Sequence, residues 1–342
     1  MEKVLLTLIC RPKQWKTISS KDLLESGYPV YGANGKIGFY NSYTHEHPTV
    51  LITCRGATCG SINISDPKSY VNGNAMALDN LSEEVDLYYL KYYLEYRKLD
   101  DVISGSAQPQ ITGKGLSKVK IPLPPLDQQK KIAAILDAAD AYRQKTKALI
   151  EKYDELTQSL FLDMFGDPVR NPKDWNEVIF TEVLVLRRGF DLPRQDRIKG
   201  EYPIMASNGI LDWHNEFKVE GPGIVTGRSG TLGKVHYIEG DYWPLNTALY
   251  SQKLNGNNPI YLIYLIRNFR VERFSRGAGV PTLNRNLVHA ETIMTVPIEL
   301  QNQFADRVQA IEAQKAQAKA SLAQAEDLFN SLLQRAFKGE LV

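Results

Sequence analysis

The chain has 342 residues, 43% hydrophobic and 23% charged, with a formal net charge of +2. This composition is globular, and it excludes a strongly basic nucleic-acid-coating protein, so any basic surface must be local. No apolar run reaches membrane-spanning length, and the apolar start MEKVLLTLIC is too short for a signal peptide.

The three cysteines, Cys10, Cys54 and Cys59, fit a reducing, cytoplasmic compartment without a disulfide framework. Cys54 and Cys59 form one C-x4-C pair with no second pair near it, and His45 and His47 sit in a polar loop, so no metal site is expected.

Taken in order, the chain reads as a duplicate. Residues 11–24 (RPKQWKTISSKDLL) and 170–184 (RNPKDWNEVIFTEVL) both carry Pro-Lys-x-Trp. Tyr28-Pro29-Val30 and Tyr202-Pro203-Ile204 then lead into Asn34-Gly35 and Asn208-Gly209, both hairpin signals. A β-like run next enters a Gly-rich turn, where Thr53, Arg55, Thr58 and Gly60 match Thr226, Arg228, Thr231 and Gly233. Residues 74–78 match residues 246–249. Aromatic, helical stretches follow at 87–98 and 260–270, where the tyrosines read as packing residues. Gly-rich segments at 104–112 and 276–284 precede a short strand in each half.

Each half ends in a long helix. Pro122, Pro124 and Pro125 delay the first until Asp127, a plausible N-cap, and Gly166 and Pro168 close it. Its seam is read as Ile132, Ile135, Ala139, Tyr142, Thr146, Leu149, Tyr153, Leu156 and Leu160. A helix of that span is about 55 Å long and needs a partner. The partner starts after Pro297, with a seam of Phe304, Val308, Ile311, Lys315, Ala318, Leu322, Ala325, Phe329, Leu332 and Ala336. The two helices superpose with a shift of about 172 positions.

The fold class is therefore α+β: two similar α/β globules separated by two long helices packed as an antiparallel coiled coil, a pseudo-two-fold internal repeat. The boundaries are a first globule at 1–124, a central helix at 125–168, a second globule at 169–296 and a C-terminal helix at 297–342. Such geometry suits double-stranded DNA, whose backbone has its own two-fold symmetry. A helix of about 55 Å matches about 16 base pairs. Because the globules differ in side chains, the two sites they touch should differ in sequence.

The residues that carry a family resemblance are Gly-Ser-x-x-Pro-x-Ile at 105–111, IPLPPLDQQKKIAAILD, the junction LFLDMFGDPVRNPKDW and PIELQNQFA at 297–305. On these the chain resembles type I restriction-modification specificity subunits, over essentially its whole length. The resemblance implies that each globule is a target-recognition domain reading one half of a bipartite DNA site. It implies that the paired helices set the spacer and dock two modification (methyltransferase) subunits. Those partners bind S-adenosylmethionine and methylate adenine at N6, and motor-nuclease restriction subunits join them. The chain is short for the family, which implies trimmed recognition domains.

No covalent chemistry is expected of the chain itself, and no cofactor. Adenine methylation needs an Asn/Asp-Pro-Pro-aromatic tetrapeptide, and the one Pro-Pro, Pro124-Pro125, is followed by Leu126. Thr112-Gly113-Lys114-Gly115 lacks the spacing of a phosphate-binding loop. DNA contacts should come from loops, with Arg and Lys on phosphates and Arg, Asn or Gln on base edges. The candidates in the first globule are Asn34, Lys36, Arg55, Thr58, Gln108, Gln110 and Lys114. In the second they are Arg187, Arg188, Asn208, Arg228, Ser229, Thr231, Lys234, Arg276, Asn284 and Arg285. Each competes with a plain reading, since a turn Asn is usually structural and a surface Arg usually solvated. Two rival functions remain open: a scaffold presenting two peptide-binding globules, and a stand-alone modification enzyme with unrecognised motifs.

Overall fold

A computed structural model describes residues 3–33, 35–105, 108–277 and 281–341. The chain divides into two compact units, residues 1–147 with 320–342, and residues 148–319. Each unit thus contains a stretch of both long helices.

The first unit opens with β1 (Lys3–Leu5), α1 (Leu6–Ile9) and β2 (Arg11–Gln14). The strands β3 (Tyr28–Gly32), β4 (Gly35–Tyr40), β5 (Val50–Thr53), β6 (Ile62–Ile64), β7 (Tyr70–Val71) and β8 (Ala75–Asp79) follow. Then come α2 (Leu87–Arg97), β9 (Ile103–Ser104), β10 (Gln110–Ile111), α3 (Gly113–Leu116) and β11 (Lys120–Pro122), and the long α4 (Leu126–Phe165) begins.

The second unit repeats this order. It has β12 (Glu177–Ile179), α5 (Phe180–Val183) and β13 (Val185–Arg188). Next are β14 (Tyr202–Ala206), β15 (Gly209–His214), β16 (Gly223–Gly227), β17 (Val235–Ile238), β18 (Trp243–Pro244) and β19 (Ala248–Lys253). It finishes with α6 (Pro259–Phe269), β20 (Ser275–Arg276), β21 (Thr282–Leu283), α7 (Arg285–His289), β22 (Thr292–Met294) and α8 (Ile298–Lys338).

Sheet topology repeats as well. Four-stranded sheets run β2-β8-β5-β6 and β13-β19-β16-β17, and three-stranded sheets run β4-β3-β7 and β15-β14-β18. Small ladders pair β1 with β11, β9 with β10, β12 with β22 and β20 with β21. The element order corrects one sequence match. Pro12-Lys13 lies inside β2, the counterpart of β13, whereas Pro172–Trp175 precedes β12. The shared Pro-Lys-x-Trp is therefore a coincidence outside the repeat.

Packing explains where the long helices go. In the second unit Phe161, Phe165 and Phe304 are fully buried with Tyr261, Leu265 and Ile293. Burial of each such ring contributes about 1.5–3 kcal/mol. Phe304 meets Phe161 and Phe165 at ring-centroid distances of 5.6 and 5.4 Å, while the Lys315 amine pairs with Asp154 further along. Contacts that recede along α4 as they advance along α8 mean an antiparallel pair. In the first unit Ile132, Ala133 and Leu136 pack with Phe329, Ala336, Tyr89 and Tyr92. There Lys147 pairs with Glu326 at 3.3 Å, again in antiparallel register.

The α8 seam residues Phe304, Val308, Ala318, Ala325, Phe329 and Ala336 are buried, and Ile311, Leu322 and Leu332 are partly buried. On α4, Ile132 and Thr146 are buried and Ala139, Tyr153 and Leu160 partly so, but four expected seam residues are exposed: Ile135, Tyr142, Leu149 and Leu156, at 38%, 55%, 43% and 50%. Gln129, Leu136, Thr157 and Phe161 are buried in place of the exposed four, with Arg143 and Ile150 partly buried between them. Arg143 lies 4.2 Å over the Phe329 ring, and the Thr157 hydroxyl donates to the Tyr153 carbonyl at 2.9 Å. The helix is turned by what its two ends dock on, and polar side chains with local partners fill the seam between.

Candidate nucleic-acid interface

Sequence-distant loops meet at one end of each four-stranded sheet. In the first unit the turn after β5 joins the β9–β10 hairpin. The Gly56 amide donates to the Pro109 carbonyl at 3.3 Å, and the Ile111 amide to the Cys54 carbonyl at 3.0 Å. Arg55 forms a bridge with Gln110, which brings these two exposed candidates side by side. Gly105 has φ +87°, and a Cβ there would sit 2.5 Å from the Gln108 carbonyl, so this hairpin needs glycine. Lys114 is exposed on α3, whose N-cap Thr112 accepts from the Gly115 amide at 3.2 Å. Thr58 and Gln108 are exposed in the same loops. Lys36 is exposed on β4 with its amine 4.4 Å over the Phe39 ring. Asn34 lies outside the described residues.

In the second unit the Leu283 amide donates to the Arg228 carbonyl at 2.7 Å, and Ser229 bridges Thr282. These bonds close an open cleft of about 400 Å3. It is lined by Arg188, Arg228, Arg276 and Arg285, with Thr282, Asn284 and Asn286, over Leu249 and Leu283. Five of the sequence candidates thus share one cleft: Arg188, Arg228, Arg276, Asn284 and Arg285. Thr282 and Asn286 are not among those candidates; the polar run Asn284-Arg285-Asn286 signals Asn286, and nothing in the sequence singles out Thr282.

The remaining candidates lie elsewhere. Arg187 adjoins Arg188 on β13, and successive strand residues point to opposite faces, so the expected basic pair does not act together. Asn208 is exposed in the β14–β15 turn. Ser229, Thr231 and Lys234 belong to the β16–β17 turn, where the Lys234 carbonyl accepts from the Thr226 hydroxyl at 2.8 Å. Asn284 serves as the N-cap of α7, its Oδ1 accepting from the Asn286 amide at 3.1 Å.

The cleft's charge is poorly compensated. Arg188 approaches Asp191 at 3.5 Å, and Arg228 Nη1 donates to the Asn246 carbonyl at 3.1 Å. Among the described residues, Arg276 and Arg285 pair with no carboxylate. Behind the cleft, burial and then the nearby Arg285 push the His289 imidazole below its ordinary pKa. Its Nε2 accepts from the Leu186 amide at 3.1 Å, as a neutral ring must. Burial raises the thiols of Cys54 and Cys59, which leaves them poor nucleophiles and poor metal ligands. Among the described residues no cluster of His, Cys, Asp or Glu could hold a metal ion.

Two polar, loop-built sites on a repeated scaffold are what a split-sequence reader requires, and comparison with known proteins identifies the family. The profile described as "Type I restriction modification DNA specificity domain" matches residues 1–153 and again residues 172–326. The chain belongs to the type I restriction-modification DNA specificity family. It carries two copies of the specificity domain, one in each half. A type I restriction enzyme MjaX specificity subunit of Methanocaldococcus jannaschii is 36% identical over 172 residues, covering 44% of this chain and 40% of that protein. A type I specificity subunit of Mycoplasma pneumoniae is 23% identical over 274 residues, covering 75% of this chain and 74% of the relative. The crystal structure of the type I S subunit from M. genitalium aligns with a TM-score of 0.67 at 18% identity, over 98% of this chain and 95% of that one. At that identity the likeness concerns the fold. No helix among the described residues is long and apolar enough to cross a membrane.

Proposed function

We propose that this chain is the non-catalytic DNA-reading subunit of a type I restriction-modification complex. Each unit reads one half of an asymmetric, bipartite site in double-stranded DNA. The observation that carries this reading is the element-for-element repeat of the recognition unit with different side chains in its loops. A repeated fold gives each unit the same framework for its own loops, and divergent loops make the half-sites differ.

In this reading the α4–α8 pair sets the spacer and docks two modification subunits, and motor-nuclease subunits join that complex in the cytoplasm. Exposed apolar side chains support docking: Ile135 and Tyr142 on α4 in the first unit, and Leu149 and Leu156 on α4 in the second. The methyl donor, S-adenosylmethionine, belongs to the modification subunits, which transfer its methyl group to adenine N6. This chain's own Pro-Pro does not fit that task. The Pro124 carbonyl accepts from Gln129 Nε2 at 2.8 Å, so Pro124 is built into the start of α4 rather than placed to hold a base. The chain's residues bind and orient the DNA, and the partners extrude the target base.

The test is to co-express the chain with the modification subunit encoded beside it and map N6-methyladenine across host DNA. A split motif with a constant spacer supports the reading. A stable complex without methylation argues against it, and no complex at all favours a peptide-binding scaffold.

A further inference from the structure

The equivalent loop clusters of the two units differ in chemistry more than the sequence repeat suggests. Hydrogen-bond register, rather than sequence spacing, shows which residues correspond. The Ile111 amide bonds the Cys54 carbonyl as the Leu283 amide bonds the Arg228 carbonyl. The Cys54 amide donates to the Asn74 carbonyl as the Arg228 amide donates to that of Thr247. Arg55 bridges Gln110 as Ser229 bridges Thr282. Arg228 therefore corresponds to Cys54, and Arg55 to Ser229, which corrects the sequence match of Arg55 with Arg228. The one-residue slip has a cause. Thr53 pairs with Ala75 as Gly227 pairs with Ala248, so Gly227, where a Cβ would lie 1.8 Å from the Thr231 carbonyl oxygen, takes the place of Thr53, and the turn to the next strand is one residue shorter in the second unit.

The same register places Arg188 against Gln14, each the last residue of its strand. Arg276 corresponds to Ser104, since they pair with Thr282 and Gln110. Arg285 corresponds to Gly113, each following the N-cap of its short helix. Four arginines line the second unit's cleft where the first unit has Gln14, Cys54, Ser104 and Gly113.

We propose that the half-site read by the second unit contains a G·C pair whose guanine is held by Arg228, and that the first unit reads its half-site without an arginine at these four positions. The proposal rests on the DNA-reading function above. The cations of the cleft are all arginine and none is lysine. A phosphate accepts either cation, but the planar guanidinium fork matches guanine O6 and N7 together, the commonest specific base contact. Arg228 is the one prepared for that task. Its backbone is held on both sides, one guanidinium nitrogen is fixed on the Asn246 carbonyl, and the side chain is half-buried. A side chain ordered before binding loses less freedom when it docks. Arg276 and Arg285, without carboxylate partners among the described residues, supply the flanking positive charge.

The experiment maps N6-methyladenine with the neighbouring modification subunit and either the natural chain, Arg228→Gln or Arg228→Lys. Melting of the purified complexes controls for folding. The expected result is that both variants relax one G·C position of one half-site by on the order of 5- to 150-fold, with the other half-site and the spacer unchanged. Arg228→Lys should keep the salt dependence of binding while losing that discrimination, because it retains charge but not the fork. An unchanged motif with uniformly weaker methylation would assign Arg228 to phosphate and overturn the proposal, as would relaxation at an A·T position. A natural chain that directs no split motif overturns the functional reading itself, which separates that failure from failure of the guanine assignment.

Discussion

Gln129 and Gln301, about 172 positions apart, make the same buried contact at the start of the two long helices. Gln129 Oε1 accepts from the Asp86 amide at 2.9 Å, and its Nε2 donates to the Glu84 and Pro124 carbonyls at 2.9 and 2.8 Å. Gln301 Oε1 accepts from the Asn258 amide at 2.9 Å, and its Nε2 donates to the Val296 carbonyl and Asn257 Oδ1 at 2.8 Å. Asp86 and Asn258 are the N-caps of α2 and α6, so each glutamine ties a long helix to the globule helix beside it. Replacing Gln129 with Leu strands three backbone groups, one in a buried bond and two in partly buried ones. We expect a loss of about 2–4 kcal/mol in urea unfolding. A loss under about 1 kcal/mol would mean that the contact is incidental, and Gln301→Leu should behave alike.

The corrected face of α4 can be tested with adjacent residues. Leu136 is fully buried and Ile135 is 38% exposed. Leu136→Ala should cost about 2–5 kcal/mol and Ile135→Ala about 0.5 kcal/mol. Equal costs in the isolated chain, measured by denaturant midpoint, would restore the original seam.

Lys315 interrupts the apolar seam of α8, with its side chain only 11% exposed and paired with Asp154 and Glu312. A partly buried ion pair returns little of its desolvation cost. Lys315→Met should therefore leave the protein as stable or up to about 2 kcal/mol more stable. Asp154→Ala should cost about 1 kcal/mol, since Asp154 itself is solvent-exposed. A large loss in the Met variant would show that the pair is worth more than the apolar packing replacing it.

The pH dependence of the second unit should carry a histidine signature. His289 has its pKa lowered from 6.5 by burial and Arg285, and only its neutral ring can accept from the Leu186 amide. On unfolding it regains ordinary basicity. Its contribution is therefore complete above about pH 6.5 and declines as pH falls from there towards the depressed native value. His289→Gln keeps an acceptor that does not titrate, so its stability should fall less steeply between about pH 7 and pH 5.5. Parallel pH profiles for the two proteins would remove His289 as the cause.

The duplicate architecture was legible because it is written in local signals that recur. Asn208-Gly209 turns the β14–β15 hairpin, the aromatic stretches form α2 and α6, and a proline immediately precedes both α4 and α8. Local coincidence also misled: Pro-Lys-x-Trp recurs without occupying equivalent places. The basic pair Arg187-Arg188 looked like one feature, yet strand alternation separates the two side chains.

The amino-acid sequence alone determined the elements, their order and their duplication, because turns, caps and helical periodicity act over a few residues. Tertiary structure decided which face of α4 is buried. Ile135, Tyr142, Leu149 and Leu156 form as good an apolar stripe as the buried one, and docking at Gln129 and Phe161 chooses between them. It also decided the composition of the arginine cleft. Arg188, Arg228, Arg276 and Arg285 come from four separate segments and meet only through sheet and bridge hydrogen bonds. A one-residue difference in turn length moves an arginine into or out of such a cleft, and only the pairing between strands far apart in the chain shows which residues correspond.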